Sequence, residues 1–248
     1  MKFAIIAAGE GSRLTAEGVK SPKPLVKVGG EYLIDRLIRI FLENRAEEID
    51  VICNGLTPLV STHLQHIVDN GLDGVPVPLR FIVKNTPSSM HSFFELSRLL
   101  GNCPFVMTTV DAIFLEQEFA AYVDAFEKVL AQGGDGLMGV TDFVDDEKPL
   151  YVGTDAQMNI TGFYDDNRLD NTFISGGIYG LTSCGIDTLK DCMQRGESRM
   201  RNFQRGLIRD NRHLKAFGFT KVFDIDHASD IAKAEAFVVG NNHSCNRK

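Results

Sequence analysis

Runs of apolar residues alternate with amphipathic segments along most of this chain. Short apolar runs bounded by turn residues predict buried strands, whereas apolar positions three and four residues apart predict helices. The predicted strands are residues 3–7, 49–53, 79–83, 105–109, 136–140, 174–181, 214–219 and 221–225. The predicted helices are residues 32–44, 58–68, 90–100, 115–130 and 231–239.

The repeated order of strand, helix and strand predicts an α/β fold. A mixed but mainly parallel sheet, covered by helices on both faces, gives a Rossmann-like three-layer sandwich. The 248 residues, 44% of them hydrophobic, are enough for one sizeable core. We therefore expect a single domain over residues 1–240 and a disordered polar tail over residues 241–248.

One stretch, residues 142–170, breaks this alternation. It is rich in Asp, Asn and Gly, and it contains two short strand-like pieces at residues 151–154 and 159–164. A turn beginning at Asp155 separates these two pieces, which predicts a hairpin. We interpret the stretch as an insertion that flanks the functional site.

The end of the first predicted strand carries the most specific chemistry. The strand runs into Gly9, Gly11 and Ser12, and Arg13 follows at once. Glycines let backbone N–H groups approach an anion closely, and a guanidinium suits phosphate oxygens. Lys23 then lies between two prolines that restrict the backbone on either side. These features predict a site for a nucleoside triphosphate.

Two familiar phosphate-binding motifs are incomplete in this segment. Position 14 is Leu14, so the dinucleotide fingerprint lacks its third glycine. No Gly-Lys-Ser/Thr follows the glycines, so the segment is not the P-loop of ATPases either. A glycine-rich turn without a ligand is the simplest alternative, but it explains neither Ser-Arg-Leu nor Pro-Lys-Pro-Leu.

The segment Ala-Ala-Gly-Glu-Gly-Ser-Arg-Leu at residues 7–14, with Pro-Lys-Pro-Leu at 22–25, resembles the signature of the sugar-phosphate nucleotidyltransferases. This family includes the bacterial choline-phosphate cytidylyltransferases, and the resemblance extends more weakly to about residue 235. It implies the nucleotide-diphospho-sugar transferase type of fold, with Lys23, Arg13 and Asp111 as catalytic residues. The implied nucleotide-binding residues are Ala7, Ala8, Gly9, Gly11, Ser12, Arg13, Asn85, Thr86, Ser89 and Met90.

Two carboxylates are candidate ligands of a magnesium ion. Asp111 follows the strand at residues 105–109, where parallel sheets bind ligands, although Asp is also common in ordinary turns. The family resemblance places the second ligand at Asp226, and Mg²⁺ usually takes one or two carboxylates together with waters and phosphates. Asp224 would lie on the same strand face as Asp226, and Asp230 suits the start of the last helix.

The predicted acceptor side is less distinctive. The resemblance implies that residues 84–93 recognise the base, and their sequence is closer to the choline-phosphate type than to enzymes that take UTP or dTTP. It also implies that the acceptor lies near the paired glycines Gly176 and Gly177, although glycines in a strand can equally form a bulge. Arg201 and Lys221 complete the predicted acceptor residues, and the basic face containing Arg201 could also simply be solvated.

Composition limits the remaining possibilities. A net charge of -7 argues against nucleic-acid binding, and five scattered cysteines without a CxxC pair argue against structural zinc and a full disulfide framework. We identify no signal peptide and no apolar run long enough to span a membrane, so we expect a cytoplasmic protein. The oligomeric state stays open.

These observations predict a magnesium-dependent nucleotidyltransferase that joins a nucleoside triphosphate to a small phosphorylated acceptor. A sugar 1-phosphate is the first expectation for the acceptor. Phosphocholine is an alternative, which the absence of tryptophan for an aromatic cage weakens. A nucleotide-sugar-dependent glycosyltransferase, suggested by Asp224-Ile-Asp226, and a catalytically silent nucleotide-binding protein are the alternatives from other classes.

Overall fold

The computed structural model describes residues 1–145, 148–167 and 171–245. The strands are β1 (Lys2–Ala7), β2 (Lys27–Val28), β3 (Glu31–Tyr32), β4 (Glu48–Cys53), β5 (Leu79–Val83), β6 (Phe105–Thr109), β7 (Ala112–Ile113), β8 (Gly136–Thr141), β9 (Tyr151–Thr154), β10 (Ile160–Tyr164), β11 (Phe173–Leu181), β12 (Leu214–Phe219) and β13 (Phe223–Asp224). The helices are α1 (Ser12–Ala16), α2 (Leu33–Glu43), α3 (Pro58–Asn70), α4 (Ser89–Leu100), α5 (Glu116–Ala131), α6 (Ser183–Gln194), α7 (Met200–Arg209) and α8 (Ala228–Cys245).

Nine of these strands form one mixed sheet. The strands β5, β4, β1 and β6 are parallel neighbours in this order, and β11 continues the sheet antiparallel to β6. Beyond β11 the sheet continues with β8, and β12 pairs parallel to β8. The sheet carries helices on both faces, so the predicted α/β fold with a mainly parallel sheet is confirmed.

Two apolar clusters pack against the two faces of the sheet. Alternate residues of β1 point to opposite faces, so Phe3 and Ile5 join one cluster while Ala4 and Ile6 join the other. The first cluster is covered mainly by α2, α3 and α5, and the rings of Phe3 and Phe41 stack at 4.6 Å. The second is covered by α4, α6 and α7. The sheet is thereby buried on both faces, as parallel sheets require.

The stretch that interrupts the alternation does contain a hairpin. Strands β9 and β10 pair antiparallel, and β9 also pairs with the first residues of β11. The Asp155 carboxylate stabilises the turn, because it accepts hydrogen bonds from the backbone N–H groups of Gln157 and Asn159 at 2.9 and 2.8 Å. Residues 146–147 and 168–170 of the predicted insertion lie outside the described residues.

Several boundaries differ from the sequence predictions. The strand predicted at residues 221–225 is shorter, since only β13 has a partner, the two-residue strand β7. Helices α1 and α6 were not predicted. The last helix begins at Ala228 and continues to Cys245, so residues 241–245 are helical where a disordered tail was expected, and residues 246–248 lie outside the described part. None of the described helices combines the length and apolarity needed to cross a membrane.

Candidate active site

The glycine loop follows the carboxyl end of β1. Gly11 precedes α1 with φ of 63°, the left-handed conformation that glycine adopts at little cost. A Cβ atom at Gly11 would lie 3.3 Å from the Cβ of Lys23, so the glycine also allows Lys23 to approach. The Asn54 side-chain amide donates hydrogen bonds to the carbonyl oxygens of Ala8 and Gly9 at 3.3 and 3.0 Å. These contacts fix the loop against the end of β4.

Lys23 lies in a 3₁₀ turn, Lys23–Leu25, which the flanking prolines favour. Its ammonium group contacts the carboxylates of both Asp111 and Asp226, the latter at 2.9 Å. Only 10% of its side chain is exposed. Burial alone would lower the pKa of Lys23, but the neighbouring Asp111 and Asp226 carboxylates outweigh it and raise this pKa above its ordinary value. Lys23 is therefore a firmly charged cation in a partly desolvated site.

Asp226 is positioned beside Lys23 by backbone hydrogen bonds between the segment that precedes it and the segment around Asp111. The β7–β13 pair places Asp224 opposite Ala112, and the Ile225 N–H donates to the Asp111 carbonyl at 3.2 Å. Asp226 then lies beside Asp111, and its second carboxylate oxygen accepts a hydrogen bond from Arg13 Nη1 at 2.8 Å. The predicted pair of carboxylates and the predicted pair of cations thus meet in one group, which we call the charged cluster. Its members are Arg13, Lys23, Asp111 and Asp226.

Asp230 has the structural position that the sequence indicated. Its carboxylate accepts hydrogen bonds from the backbone N–H groups of Asp226 and His227, at 3.1 and 2.8 Å. These contacts hold the chain at the beginning of α8. They therefore orient the segment that carries Asp226.

A cavity of about 450 Å³ lies on one side of the charged cluster. Its wall includes the glycine loop, the segment that begins α4, and Lys23 with both carboxylates. The predicted residues that line it are Ala8, Gly9, Gly11, Ser12, Arg13, Lys23, Thr86, Ser89, Asp111 and Asp226. We call it the first cavity.

A second cavity of about 590 Å³ adjoins the first. It is bounded by β11, by the beginnings of α7 and α8, and by the residues around β13. Gly176, Gly177 and Arg201, which the sequence assigned to the acceptor, all line it. The residues that belong to both cavities are Arg13, Ser89, Thr109 and Asp226. The two cavities therefore meet at the charged cluster.

The paired glycines of β11 form a bulge at the wall of the second cavity. The register with β8 shifts between Ser175 and Ile178, so Gly176 and Gly177 have no partner residues on β8. Gly177 has φ of 70°, which a residue with a side chain rarely adopts. The bulge reading of the sequence is correct, and the bulge also opens into the second cavity.

Ion pairs and hydrogen bonds between elements distant in the sequence support the wall of the second cavity that α7 and β11 form. On α7, Arg201 and Arg205 both pair with Asp165, which follows β10, at 2.5 and 2.7 Å. The nearly buried Gln204 accepts a hydrogen bond from the Ser175 hydroxyl at 3.0 Å. The hairpin, α7 and β11 are thereby joined.

Some predicted site residues lie outside the two cavities. Ala7 and Met90 are buried in the apolar clusters. Asn85 accepts a hydrogen bond from the Gly55 N–H at 2.8 Å and stabilises a neighbouring loop. The ammonium group of Lys221 lies over three phenylalanine rings, at 4.0, 4.8 and 5.4 Å from their centroids. It is thus occupied by cation–π contacts instead of facing the second cavity.

The carboxylates of Asp111 and Asp226 fit the ligand preference of a magnesium ion. Among the described residues, no cluster of three or more His, Cys, Asp or Glu side chains is suited to hold a metal. Mg²⁺ does not need one, since it keeps several waters and binds one or two carboxylates together with substrate phosphates. Asp226 is 45% exposed, so its carboxylate can be reached from the cavities.

Sequence reasoning missed several residues of this region. The Ser88 hydroxyl, besides capping α4, donates a hydrogen bond to the Ser198 carbonyl and so connects the beginning of α4 to the segment that precedes α7. Asn54 and Thr109 were not singled out either, because a lone Asn or Thr at a strand end has no motif. Their position after β4 and within β6, at the ligand-binding edge of the sheet, was the available signal.

The mainly parallel sheet with helices on both faces is a fold of the nucleotide-diphospho-sugar transferase type. The chain matches the MobA-like NTP transferase domain over residues 3–161, and it belongs to that family.

Solved structures support the same fold over nearly the whole chain. A structure assigned as a glucose-1-phosphate thymidylyltransferase from Bacillus anthracis, with a bound sucrose, has a TM-score of 0.80 at 18% identity and covers 96% of this chain and 94% of that one. An inositol-1-phosphate CTP transferase from T. maritima has a TM-score of 0.70 at 17% identity, with 96% and 97% covered. A UDP-glucose pyrophosphorylase with bound UDP-glucose has a TM-score of 0.76 at 15% identity, with 99% of each chain covered.

Proposed function

We propose that this protein transfers a nucleotidyl group from a nucleoside triphosphate to a small phosphorylated acceptor, most simply a sugar or polyol phosphate, and releases pyrophosphate. The observation that carries the proposal is that the two cavities meet at Arg13 and Asp226, which line both, and that Asp226 contacts Lys23 beside Asp111. Each cavity has a volume suited to a small ligand, and the charge at their junction suits phosphates.

The triphosphate binds in the first cavity. The backbone N–H groups of the glycine loop and the guanidinium of Arg13 hold its phosphates, as N–H-rich loops hold anions elsewhere. Lys23 contacts the α-phosphate, where negative charge changes during transfer. In the free protein its charge is compensated by Asp111 and Asp226, so the carboxylates and the cation exchange partners when substrates enter.

Asp111 and Asp226 would hold a magnesium ion. Such an ion would neutralise part of the phosphate charge at this position. Both carboxylates contact the same lysine nitrogen, in a site lined by polar and charged groups. The chain's own contribution is to place these carboxylates at the junction.

The reaction itself needs little from a protein base. A phosphate acceptor is already ionised at neutral pH. One of its oxygens forms a bond to the α-phosphorus, the bond from that phosphorus to the bridging oxygen breaks, and the electron pair leaves with pyrophosphate. Catalysis is then orientation of two substrates and stabilisation of charge, which is what the two cavities and Lys23 supply.

The acceptor binds in the second cavity. Its wall offers hydroxyl, amide and guanidinium groups, among them Ser175, Gln204 and Arg201, which suit the hydroxyls and phosphate of a sugar or polyol phosphate. The names of two proteins with similar folds mention glucose 1-phosphate and inositol 1-phosphate, and this supports the same class of acceptor here. Phosphocholine is less favoured, because the phenylalanine rings near this cavity already hold the Lys221 ammonium.

The names of the similar structures refer to a thymidylyltransferase, a CTP transferase and a UDP-glucose pyrophosphorylase, so the assay has to cover several nucleobases. A matrix of CTP, UTP, dTTP, GTP and ATP against several sugar, inositol and choline phosphates, scored by pyrophosphate release with Mg²⁺, tests the proposal. We expect release that depends on both substrates. No release with any pair, or hydrolysis of a nucleotide sugar instead, would favour the silent binder or the glycosyltransferase.

A further inference from the structure

Thr109 occupies a distinctive position in the site. It is the last residue of β6, two positions before Asp111, and it is one of the residues that line both cavities. The others are Arg13 and Asp226, which pair with each other, and Ser89 in the first turn of α4. Thr109 therefore lies where the two proposed substrates would meet.

The hydroxyl of Thr109 has no hydrogen-bond partner among the described residues, and in this conformation it is closed to water. A buried hydroxyl without a partner destabilises a fold, because its lost hydrogen bonds to water are not replaced. The neighbouring Thr108 hydroxyl, in contrast, donates to the Thr109 carbonyl at 3.3 Å. An unsatisfied group of this kind at a site is explained when a ligand supplies its partner.

The bulge of β11 accounts for the missing partner. The pairing between β6 and β11 stops at Thr108 and Ile178, so the strand opposite Thr109 has already turned away. A Cβ atom at Gly177 would lie 3.9 Å from the Thr109 hydroxyl oxygen, and the real glycine leaves that space empty. The unpaired hydroxyl and the bulge are therefore two parts of one arrangement.

We propose that the Thr109 hydroxyl donates a hydrogen bond to the phosphate of the acceptor. A rotation about the Cα–Cβ bond exchanges its hydroxyl and methyl positions between staggered rotamers, and it breaks no existing hydrogen bond. Thr109 is partly exposed and lines both cavities, so after this rotation its hydroxyl would be within reach of a ligand bound there. The donor would orient the attacking phosphate beside Lys23 and the α-phosphate.

This inference depends on the proposed nucleotidyl transfer, and a substitution series tests it separately. Thr109→Val keeps the shape of the side chain and removes only the hydroxyl. We expect kcat/KM for the acceptor to fall about 10- to 100-fold, the scale of one hydrogen bond to a charged group, while KM for the triphosphate stays unchanged. Thr109→Ser, which keeps the hydroxyl, should retain most of the activity, and Thr108→Val is the matched control on the same strand.

The melting temperature provides a second readout that a structural role would not reproduce. Thr109→Val removes an unsatisfied buried hydroxyl, so it should melt at the same temperature as the wild type or higher, despite its lower activity. Wild-type kinetics for Thr109→Val, or equal losses in the Val and Ser variants, would overturn the inference and leave the transferase function standing. If the wild type itself released no pyrophosphate with any substrate pair, the proposed function would fail instead.

Discussion

The two cavities are built in different ways. The first is lined largely by contiguous segments, with residues 8–13 forming its loop and residues 86–89 the opposite wall. The second is assembled from the bulge of β11, the beginnings of α7 and α8, and the residues around β13, which are far apart in the sequence. The residues of the glycine loop are thus close together in the sequence. The residues that line the second cavity, where we propose that the acceptor binds, are brought together by long-range contacts.

This difference has a functional consequence. Glycine and proline backbone geometry sets the backbone positions of Arg13 and Lys23, and their charged ends then pair with Asp226 and, for Lys23, also with Asp111. Ion pairs such as those from Arg201 and Arg205 to Asp165 hold the wall of the second cavity. We therefore expect that substitutions in the wall of the second cavity can change the proposed acceptor site without disturbing the proposed triphosphate site.

Removal of the proposed magnesium ion should have the largest effect, because Asp226, one of its two proposed ligands, lines both cavities. Excess EDTA should abolish pyrophosphate release, and added Mg²⁺ should restore it. Asp226→Asn should raise the Mg²⁺ concentration needed for half-maximal turnover by about tenfold or more, with Asp224→Asn as the matched control. Full turnover in EDTA would show that Asp111 and Asp226 serve only as ion-pair partners of Lys23.

Substitution of Lys23 should disable the junction while both cavities persist. Lys23→Ala should reduce kcat about 10²- to 10³-fold, the scale reported for loss of one electrostatic stabiliser. The exposed Lys27, which lies over the Tyr32 ring at 4.9 Å, provides the control as Lys27→Ala. Steady-state pyrophosphate assays compare the two variants, and unchanged turnover in Lys23→Ala would contradict its role.

The smallest effect should come from the wall of the second cavity. Asp165→Asn weakens two exposed ion pairs, so KM for the acceptor should rise about two- to fivefold while KM for the triphosphate stays the same. Asp187→Asn, which weakens the exposed pair with Lys190, is the control. Equal changes in both KM values would mean that the two cavities are not separable.

The same contact has a defined pH dependence. Hydrogen bonds from Arg205 and Arg201 hold the pKa of Asp165 below its ordinary value. The contribution of such a lowered carboxyl is fully present above its unfolded pKa and is lost as the pH falls through the folded value. The acceptor KM should therefore show no change from Asp165 near neutral pH.

The local parts of the site could be predicted from the sequence, and the long-range parts could not. The tight turn at Gly11 and the restricted backbone around Lys23 could be predicted, because backbone conformation and residue spacing are properties of a short segment. The family resemblance indicated Asp226, and the structure places Asp226 beside Asp111; the shared strand face expected for Asp224 and Asp226 is absent, because β13 ends at Asp224 and the Ile225 N–H pairs with the Asp111 carbonyl.

Other misses have physical reasons in packing. Helix α6 contains Gly185 in its first turn, a poor helix former, and a Cβ there would lie 3.2 Å from Leu181. Close packing against β11 therefore outweighs propensity. Lys221 was expected to bind the acceptor, but the three phenylalanines around it come from separate elements, so no pattern in the sequence indicated their cluster.

In the proposed reaction, the acceptor phosphate attacks the α-phosphorus directly where the two cavities meet. The configuration at the α-phosphorus distinguishes direct attack from a covalent intermediate. It is measured by supplying a single isomer of the α-thio analogue of the preferred triphosphate and examining the product by ³¹P NMR. Direct in-line attack in a complex of both substrates predicts inversion at the α-phosphorus. Retention would reveal a covalent nucleotidyl intermediate on the protein and would contradict the account.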